Sequence, residues 1–173
     1  MIGGKAAPGY YTAKIIIELI LAVQKVVNSD ADVGDLLKVV FLPNYNVSSA
    51  QIIIPAAELS QHISTAGTEA SGTSNMKFVM NGCLIIGTMD GANVEIAEEI
   101  GVDNMFIFGK NVAEVAVAKT LMHEGDRSYV DTKLGRVYET IKTGTFAGNT
   151  QAFVHLVDTL MNGGDNYLVS HDF

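Results

Sequence analysis

The stretch Glu69-Ala-Ser-Gly-Thr-Ser-Asn-Met-Lys-Phe-Val-Met-Asn81 joins a loop of turn-forming residues to a short apolar run. Thr73 and Ser74 favour turns and helix N-caps, because their polar side chains can satisfy free backbone N–H groups. The apolar run around Lys77 ends at Gly82, which is typical of a helix C-cap. The first turn of a helix has unpaired N–H donors and a partial positive charge. The pattern therefore predicts an anion pocket beside a primary amine.

Segments typical of strands and helices alternate on both sides of this stretch. Before it, an amphipathic helix over 13–27 leads to a short β-branched run at 36–42, which predicts a buried parallel strand. After it, further strands are predicted at 83–87 and 105–109, with an acidic helix over 94–100 between them. This alternation predicts an α/β fold with a Rossmann-like open parallel sheet and flanking helices, in which ligands bind beyond the carboxyl ends of strands.

The pattern changes after residue 109. Helices are predicted over 112–123, 129–142 and 151–161, separated by glycine-rich breaks. A chain of 173 residues has the length of one ordinary domain. We therefore divide it into an α/β core over 1–109 and a mainly helical extension over 110–173.

Composition excludes several classes of protein. Apolar residues make up 48% and charged residues 17%, which excludes disorder. The net charge of −8 argues against nucleic-acid and anionic-membrane partners. The single cysteine, Cys83, excludes an intrachain disulfide and favours the reducing cytoplasm. We expect no membrane span, since every apolar stretch is too short, and no metal site, since the four histidines lack ligand spacing.

Lys77 is the candidate for covalent chemistry. A lysine on a helix normally faces water. Here Met76 and Phe78 are apolar, so we expect them to desolvate the amine and make it nucleophilic. A lysine that can form a Schiff base, preceded by turn residues that bind phosphate, is what a pyridoxal phosphate site requires, because one element must hold both the aldehyde carbon and the phosphate.

The stretch from Glu69 to Asn81 strongly resembles the pyridoxal-phosphate signature of the α-glucan phosphorylases, which are the glycogen, starch and maltodextrin phosphorylases. Similar segments occur in the same order as in that family: Ile2-Gly-Gly-Lys-Ala-Ala-Pro-Gly-Tyr10, Leu36-Leu-Lys-Val-Val-Phe41, Asn44-Tyr-Asn-Val-Ser48, Gln61-His-Ile-Ser-Thr-Ala-Gly-Thr68 and Gly87-Thr-Met-Asp-Gly-Ala-Asn-Val-Glu95. The resemblance is nearly continuous through Gly109, thin to about Asn149, and returns at Gly163-Gly-Asp-Asn-Tyr-Leu-Val169. It implies part of the C-terminal domain of a glycosyltransferase-B fold.

The resemblance implies a cofactor role for four residues. Lys77 would be the catalytic lysine that links pyridoxal 5'-phosphate covalently. Backbone N–H groups of Thr73 and Ser74 would hold the cofactor phosphate. Many animal members have glycine in place of Ser74, but a backbone contact survives that change. Tyr45 matches a tyrosine close to the cofactor ring.

The resemblance also implies a sugar site and a reaction. The glucosyl unit at the scissile bond would be bound by Glu69 and by backbone groups of the three residues after it, Ala70, Ser71 and Gly72. In this family the cofactor phosphate exchanges a proton with inorganic phosphate while the α-1,4 bond breaks with retention, which releases glucose 1-phosphate. The implied protein is a glycosyltransferase of glycogen catabolism. We expect an allosteric homodimer in the cytoplasm, or in plastids if the parent is of plant type.

Family members are several times longer than this chain, and the basic segment that reaches both phosphates precedes this region in the family. We therefore interpret the chain as an internal fragment, and we expect no phosphorolysis from it alone. We also expect an exposed apolar interface. The alternative is a catalytically silent module that binds a sugar or a partner protein. A nucleotide-sugar glycosyltransferase fits less well, because it leaves Lys77 without a cofactor. Asp90 is either a substrate contact or, more simply, a turn residue.

Overall fold

The computed structural model describes residues 1–126, 128–162 and 165–173. The strands are β1 (Ile2–Gly3), β2 (Phe41–Leu42), β3 (Leu59–His62), β4 (Leu84–Gly87) and β5 (Phe106–Ile107). The α-helices are α1 (Tyr11–Ser29), α2 (Val47–Ile53), α3 (Ser74–Met80), α4 (Asn93–Ile100), α5 (Val112–His123), α6 (Thr132–Lys142) and α7 (Thr150–Met161). All described strand pairs are parallel, so the predicted α/β class with flanking helices is confirmed. None of the described helices combines the length and apolar character needed to cross a bilayer.

Contacts divide the chain into two compact units. The first comprises Met1–Asn46 and Thr132–Asn162, and the second comprises Val47–Asp131 and Gly163–Phe173, of which Gly163 and Gly164 lie outside the described residues. This boundary differs from the division at residue 109, since α6 and α7 group with α1. The assignment of the whole chain to one C-terminal domain stays a prediction.

The first unit has a small core and a short parallel strand pair. Ile15 of α1 packs against Ala152 and Phe153 of α7. In the strand pair, Ile2 of β1 lies opposite Phe41 of β2. The unit thus ties the N-terminus of the chain to the end of the 36–42 run.

The prediction of a buried strand over 36–42 is wrong in both extent and burial. Only Phe41–Leu42 forms a strand, and Leu36 and Leu37 are 91% and 54% exposed. Upstream of the strand, the backbone of Val39 exchanges two hydrogen bonds of 2.8 Å with the side-chain amide of Asn28. The amide takes the place of a neighbouring strand at Val39. Leu36, Leu37 and Val40 remain exposed, whereas Val39, Phe41 and Leu42 are half-buried.

The second unit contains a three-stranded sheet in the order β3-β4-β5. Leu59 of β3 lies opposite Leu84 of β4, and Ile86 of β4 lies opposite Phe106 of β5. One face of the sheet packs against α3 and α4 through Ile85, Ile96, Ala97, Met105, Phe78 and Val79. On the other face Leu84 and Phe106 are 49% and 58% exposed. The covered face therefore holds α3 and α4 against the sheet.

Candidate functional site

Two loops of the second unit follow neighbouring parallel strands. One leads from β3 to α3 over residues 63–73, and the other leads from β4 to α4 over residues 88–92. Because the carboxyl ends of parallel strands lie at one edge of a sheet, the two loops come together there. The first loop carries Glu69, and the second carries Asp90.

Asp90 is 5% exposed, and its carboxylate holds the first loop. It accepts hydrogen bonds from Ser64 Oγ at 2.7 Å, from the backbone N–H of Gly67 at 2.8 Å and from that of Glu69 at 2.9 Å. We call this set of four residues the Asp90 clasp. Burial opposes ionisation of the carboxyl, but these bonds and one from the backbone of Gly91 outweigh it and lower the pKa of Asp90. The clasp therefore contains a carboxylate at neutral pH.

Behind Asp90 the two loops approach too closely for a side chain. Gly91 has φ 53°, in the left-handed region, and the neighbouring Ala92 N–H donates to the Ser71 carbonyl at 2.6 Å. A Cβ added to Gly91 would lie 2.5 Å from the Ser71 oxygen and 3.0 Å from Glu69 Cγ. Only glycine fits at this position.

Two buried asparagines fix the start of α3. Asn93, which is 1% exposed, donates through Nδ2 to the carbonyls of Thr88 at 3.0 Å and His62 at 3.2 Å. Its Oδ1 accepts a bond of 2.9 Å from Nδ2 of Asn75, the second residue of α3. We call Asn75 and Asn93 the Asn pair. The pair ties the first turn of α3 to the ends of β3 and β4.

The structure places three of the predicted cofactor residues at the start of α3. Thr73 is the N-cap residue, Ser74 is the first helical residue, and Lys77 lies one turn further, where its N–H donates to the Thr73 carbonyl at 3.4 Å. The N–H groups of Thr73 and Ser74 have no acceptor within the described part of the chain, as expected for a first helical turn. Two donors without a partner in the described residues thus precede the lysine by one helical turn.

The expectation that apolar neighbours desolvate Lys77 is wrong. Lys77 is exposed, whereas Phe78 and Val79 pack toward the sheet. Successive residues of a helix point about 100° apart, so the neighbours of a lysine in sequence do not cover it. The amine is thus accessible to a molecule that arrives from solvent.

The four residues predicted to face the sugar form the end of the first loop. Glu69, Ala70 and Ser71 are exposed, and Gly72 has φ 80°. The Ser71 hydroxyl donates to the Gly72 carbonyl at 3.0 Å, and the Ser71 N–H approaches Glu69 Oε1 at 3.4 Å. The loop therefore presents a carboxylate and backbone groups to solvent while the Asp90 clasp holds it from behind.

Tyr45 belongs to the first unit, whereas Lys77 belongs to the second. It is half-buried and packs on Gly3, where an added Cβ would lie 3.3 Å from Tyr45 Cδ2. Its predicted place beside the cofactor ring stays a prediction.

Comparison with known proteins gives the chain a family. A family model described as carbohydrate phosphorylase matches residues 1–173. The chain belongs to this family. Glycogen phosphorylase 2 of Dictyostelium discoideum is 59% identical to it over 171 residues, glycogen phosphorylase of Saccharomyces cerevisiae is 57% identical over 172 residues, and the brain form of human glycogen phosphorylase is 52% identical over 176 residues.

These matches cover 99%, 99% and 100% of this chain but only 17%, 19% and 21% of the three relatives. The chain thus spans about a fifth of the length of the phosphorylases it matches. The family resemblance expected from residues 69–81 and their flanks is confirmed over the whole chain.

Neither the Asn pair nor the hydrogen bonds of Asp90 to the first loop were predicted from the sequence, which left Asp90 as a substrate contact or a turn residue. A signal existed for Asn93, because it occupies the apolar stripe of α4 with Ile96, Ala97 and Ile100. A polar residue in such a stripe needs buried partners. The residues that donate hydrogen bonds to Asp90 lie 21 to 26 positions away in sequence, so no local pattern could identify them.

A second feature of the chain is a cavity that contains none of the predicted site residues. This cavity of about 920 Å³ lies beside α5 and is lined in part by Phe108, Val117 and Leu121. His171 also lines it and stacks on Tyr129, with ring centroids 3.8 Å apart. Burial, followed by the charge of Lys110, lowers the pKa of His171.

Proposed function

We propose that this chain carries the cofactor lysine and the sugar-facing loop of an α-glucan phosphorylase. One observation carries the proposal: the exposed residue Lys77 lies one helical turn after the N–H groups of Thr73 and Ser74, which have no acceptor among the described residues. The buried Asn pair supports that arrangement from inside the fold.

The donor set fits pyridoxal 5'-phosphate. A primary amine can attach covalently to the aldehyde, and two first-turn N–H groups with the helix dipole favour the phosphate. In our proposal Lys77 attaches to the aldehyde carbon, and Thr73 and Ser74 bind the phosphate through their backbone N–H groups. When bound, the cofactor supplies a phosphate group that exchanges a proton with inorganic phosphate. The chain itself contributes attachment and orientation.

The sugar-facing residues supply hydrogen-bonding groups of a different kind. Glu69 offers a carboxylate, and the backbone of Ala70, Ser71 and Gly72 offers carbonyl and N–H groups at an exposed turn. Glucosyl hydroxyls both donate and accept hydrogen bonds, so a carboxylate beside backbone groups suits them. We infer that this turn binds the glucosyl unit next to the bond that is broken.

The reaction belongs to a longer polypeptide in this proposal. Its substrates are an α-1,4-glucan and inorganic phosphate, and its product is glucose 1-phosphate. We further propose that the whole protein is an allosteric, cytoplasmic homodimer of glycogen catabolism. Since the chain spans about a fifth of its relatives, we expect no glucose 1-phosphate from glycogen when the 173 residues act alone.

Cofactor capture tests the proposal. The 173-residue chain is incubated with pyridoxal phosphate, reduced with borohydride and mapped by peptide mass spectrometry. We expect the label on Lys77, and we expect Lys77→Arg to lose it. Lys119→Arg is the matched control, because Lys119 is an exposed lysine on α5, and this variant should still label Lys77. Labelling spread evenly over exposed lysines would contradict the proposal and favour a silent binding module.

A further inference from the structure

The Asp90 carboxylate is fully engaged with the protein. Both oxygens accept hydrogen bonds from the 64–69 segment, and the residue is buried. A group in this position cannot also contact a sugar that approaches from solvent. Any influence of Asp90 on a ligand therefore passes through the loop that it holds.

Asp90 and Asn93 lie in one turn, but their side chains hold different segments. Asp90 bonds to Ser64, Gly67 and Glu69, whereas Asn93 bonds to His62, Thr88 and Asn75. The two sets of side-chain partners have no member in common. The sets are linked through the Thr88 hydroxyl, which donates to the Ser64 carbonyl, and through the Asn93 N–H, which donates to the Asp90 carbonyl. Replacement of the Asp90 side chain therefore removes none of the side-chain bonds of Asn93 directly.

We propose that Asp90 is a positioning residue for the sugar-facing turn at 69–72, and that it acts independently of the Asn pair, which positions the start of α3. The inference rests on the proposed function, because it divides that site into a sugar half and a cofactor half. It also resolves the two sequence interpretations of Asp90: the residue is neither a substrate contact nor a simple turn residue.

The charge of Asp90 is needed for this task. A carboxylate has two acceptor oxygens and no donor, so it can receive three N–H or O–H groups at once. An asparagine has the same shape, but its NH₂ group would face at least one of these donors and leave it unsatisfied. Asp90→Asn therefore tests the clasp with little change in volume.

The experiment compares four variants of the chain. Asp90→Asn breaks the clasp, and Ser64→Ala removes one of its bonds as a milder version. Asn75→Ala breaks the Asn pair. Asp103→Asn is the matched control, because Asp103 is an exposed aspartate in the 3-10 turn Val102–Asn104. Amide exchange at Ile85 in the core reports whether each variant is folded.

Three readouts separate the halves of the site. Amide exchange at Gly67 and Glu69, and D-glucose binding measured by NMR chemical-shift changes at residues 69–72, report on the sugar half. The rate of pyridoxal phosphate capture at Lys77 reports on the cofactor half. In Asp90→Asn we expect exchange to rise and D-glucose affinity to fall about tenfold or more, with capture within about twofold of the unmodified chain. Asn75→Ala should slow capture about tenfold and spare exchange at Gly67 and Glu69. Ser64→Ala should show a weaker form of the Asp90→Asn result.

Two results would overturn the inference: unchanged exchange at Gly67 and Glu69 in a folded Asp90→Asn chain, or a loss of capture in Asp90→Asn as large as in Asn75→Ala. If Asp90→Asn fails to fold, the same criteria apply to Ser64→Ala. Failure of the proposed function looks different, because the unmodified chain would then show neither selective capture at Lys77 nor D-glucose binding. The exchange readout would still decide whether Asp90 holds the loop.

Discussion

The segments 64–93 and 34–42 differ in which side chains they bury: the first buries polar side chains, and the second exposes apolar ones. The first is rich in polar residues, yet Asp90, Asn75 and Asn93 are buried: Asp90 accepts hydrogen bonds from the 63–73 loop, and Asn75 donates to Asn93. The second is a run of apolar residues, yet Leu36 and Leu37 lie in solvent. Polar side chains within a short stretch of chain can satisfy one another's hydrogen bonds. An apolar run is buried only where another part of the chain covers it.

The largest expected loss of stability follows from a substitution at Gly91, where the two loops of the first segment approach most closely. Gly91→Ala should lower the free energy of unfolding by about 3 kcal/mol or more, because it combines a left-handed φ with a Cβ that meets the Ser71 oxygen. Gly82→Ala is the control, since Gly82 has φ 80° but open space around it, and it should cost about 1 kcal/mol. Chemical denaturation measures both. Equal costs would show that the loops do not press on Gly91.

The Asp90 clasp should make the first segment sensitive to acid. The folded pKa of Asp90 lies below its ordinary value, so its contribution is complete above that value, near 3.9, and is lost as pH falls through the folded pKa. Asp90→Asn should cost about 1–3 kcal/mol at pH 7, because it leaves a buried donor unsatisfied. The difference from the unmodified chain should shrink below about pH 4. A difference that stays constant from pH 7 to pH 3 would contradict the assigned role of the carboxylate.

In the second segment, the side-chain amide of Asn28 forms both backbone hydrogen bonds of Val39. Asn28→Ala should remove both bonds to Val39 and cost about 1 kcal/mol. Amide exchange should rise at Val39 and stay unchanged at Glu69. Asn81→Ala is a suitable control, because Asn81 also donates its side-chain amide to a backbone carbonyl, that of Lys77, but lies in the second unit.

The smallest expected effect is on an exposed leucine. Leu36→Ser should change the free energy of unfolding by less than about 0.5 kcal/mol, because Leu36 is 91% exposed. It should also reduce self-association, measured by light scattering, because it removes an exposed apolar side chain. Ile85→Ala, in the core, should cost about 2–5 kcal/mol. A large cost for Leu36→Ser would show that the run is covered in solution.

The sequence predicted those parts of the fold that depend on local pattern. The helix at Val112–His123 matches its predicted bounds, and α1 and α7 lie within a few residues of theirs. In α1 and α7 the apolar periodicity indicates a packed face, whereas in α5 apolar residues also lie on the exposed side, among them Val117 and Leu121. The prediction of a strand over 36–42 was wrong because it also depended on local pattern alone. A β-branched run indicates a surface suited to burial, but it cannot show that another segment is present to bury it.

At the candidate site, the sequence identified the positions that lie on α3 and the loop before it. Asn93 stands out as a polar residue in the apolar stripe of α4, but its distant partners Asn75 and His62 lie 18 and 31 positions away in sequence. The partners of Asp90 lie 21 to 26 positions away, so no local pattern identifies them. The burial of the Lys77 side chain was predicted wrongly, because residues adjacent to a lysine in a helical sequence do not cover it in space. The motif from Glu69 to Asn81 thus indicates what the site presents to a ligand, and the turn at 88–93 determines how the site is held.

Residue-resolved hydrogen exchange on the 173-residue chain tests this account most directly. We predict that the amides of Gly67, Glu69 and Ala92, which donate to Asp90 or Ser71, are protected to a degree comparable with Ile85 in the core. We predict that the amides of Leu37 and Lys38 exchange nearly as fast as those of an unfolded chain. If Gly67 and Glu69 exchange as fast as Leu37, the site segment is not held by its own polar network, and the account is contradicted.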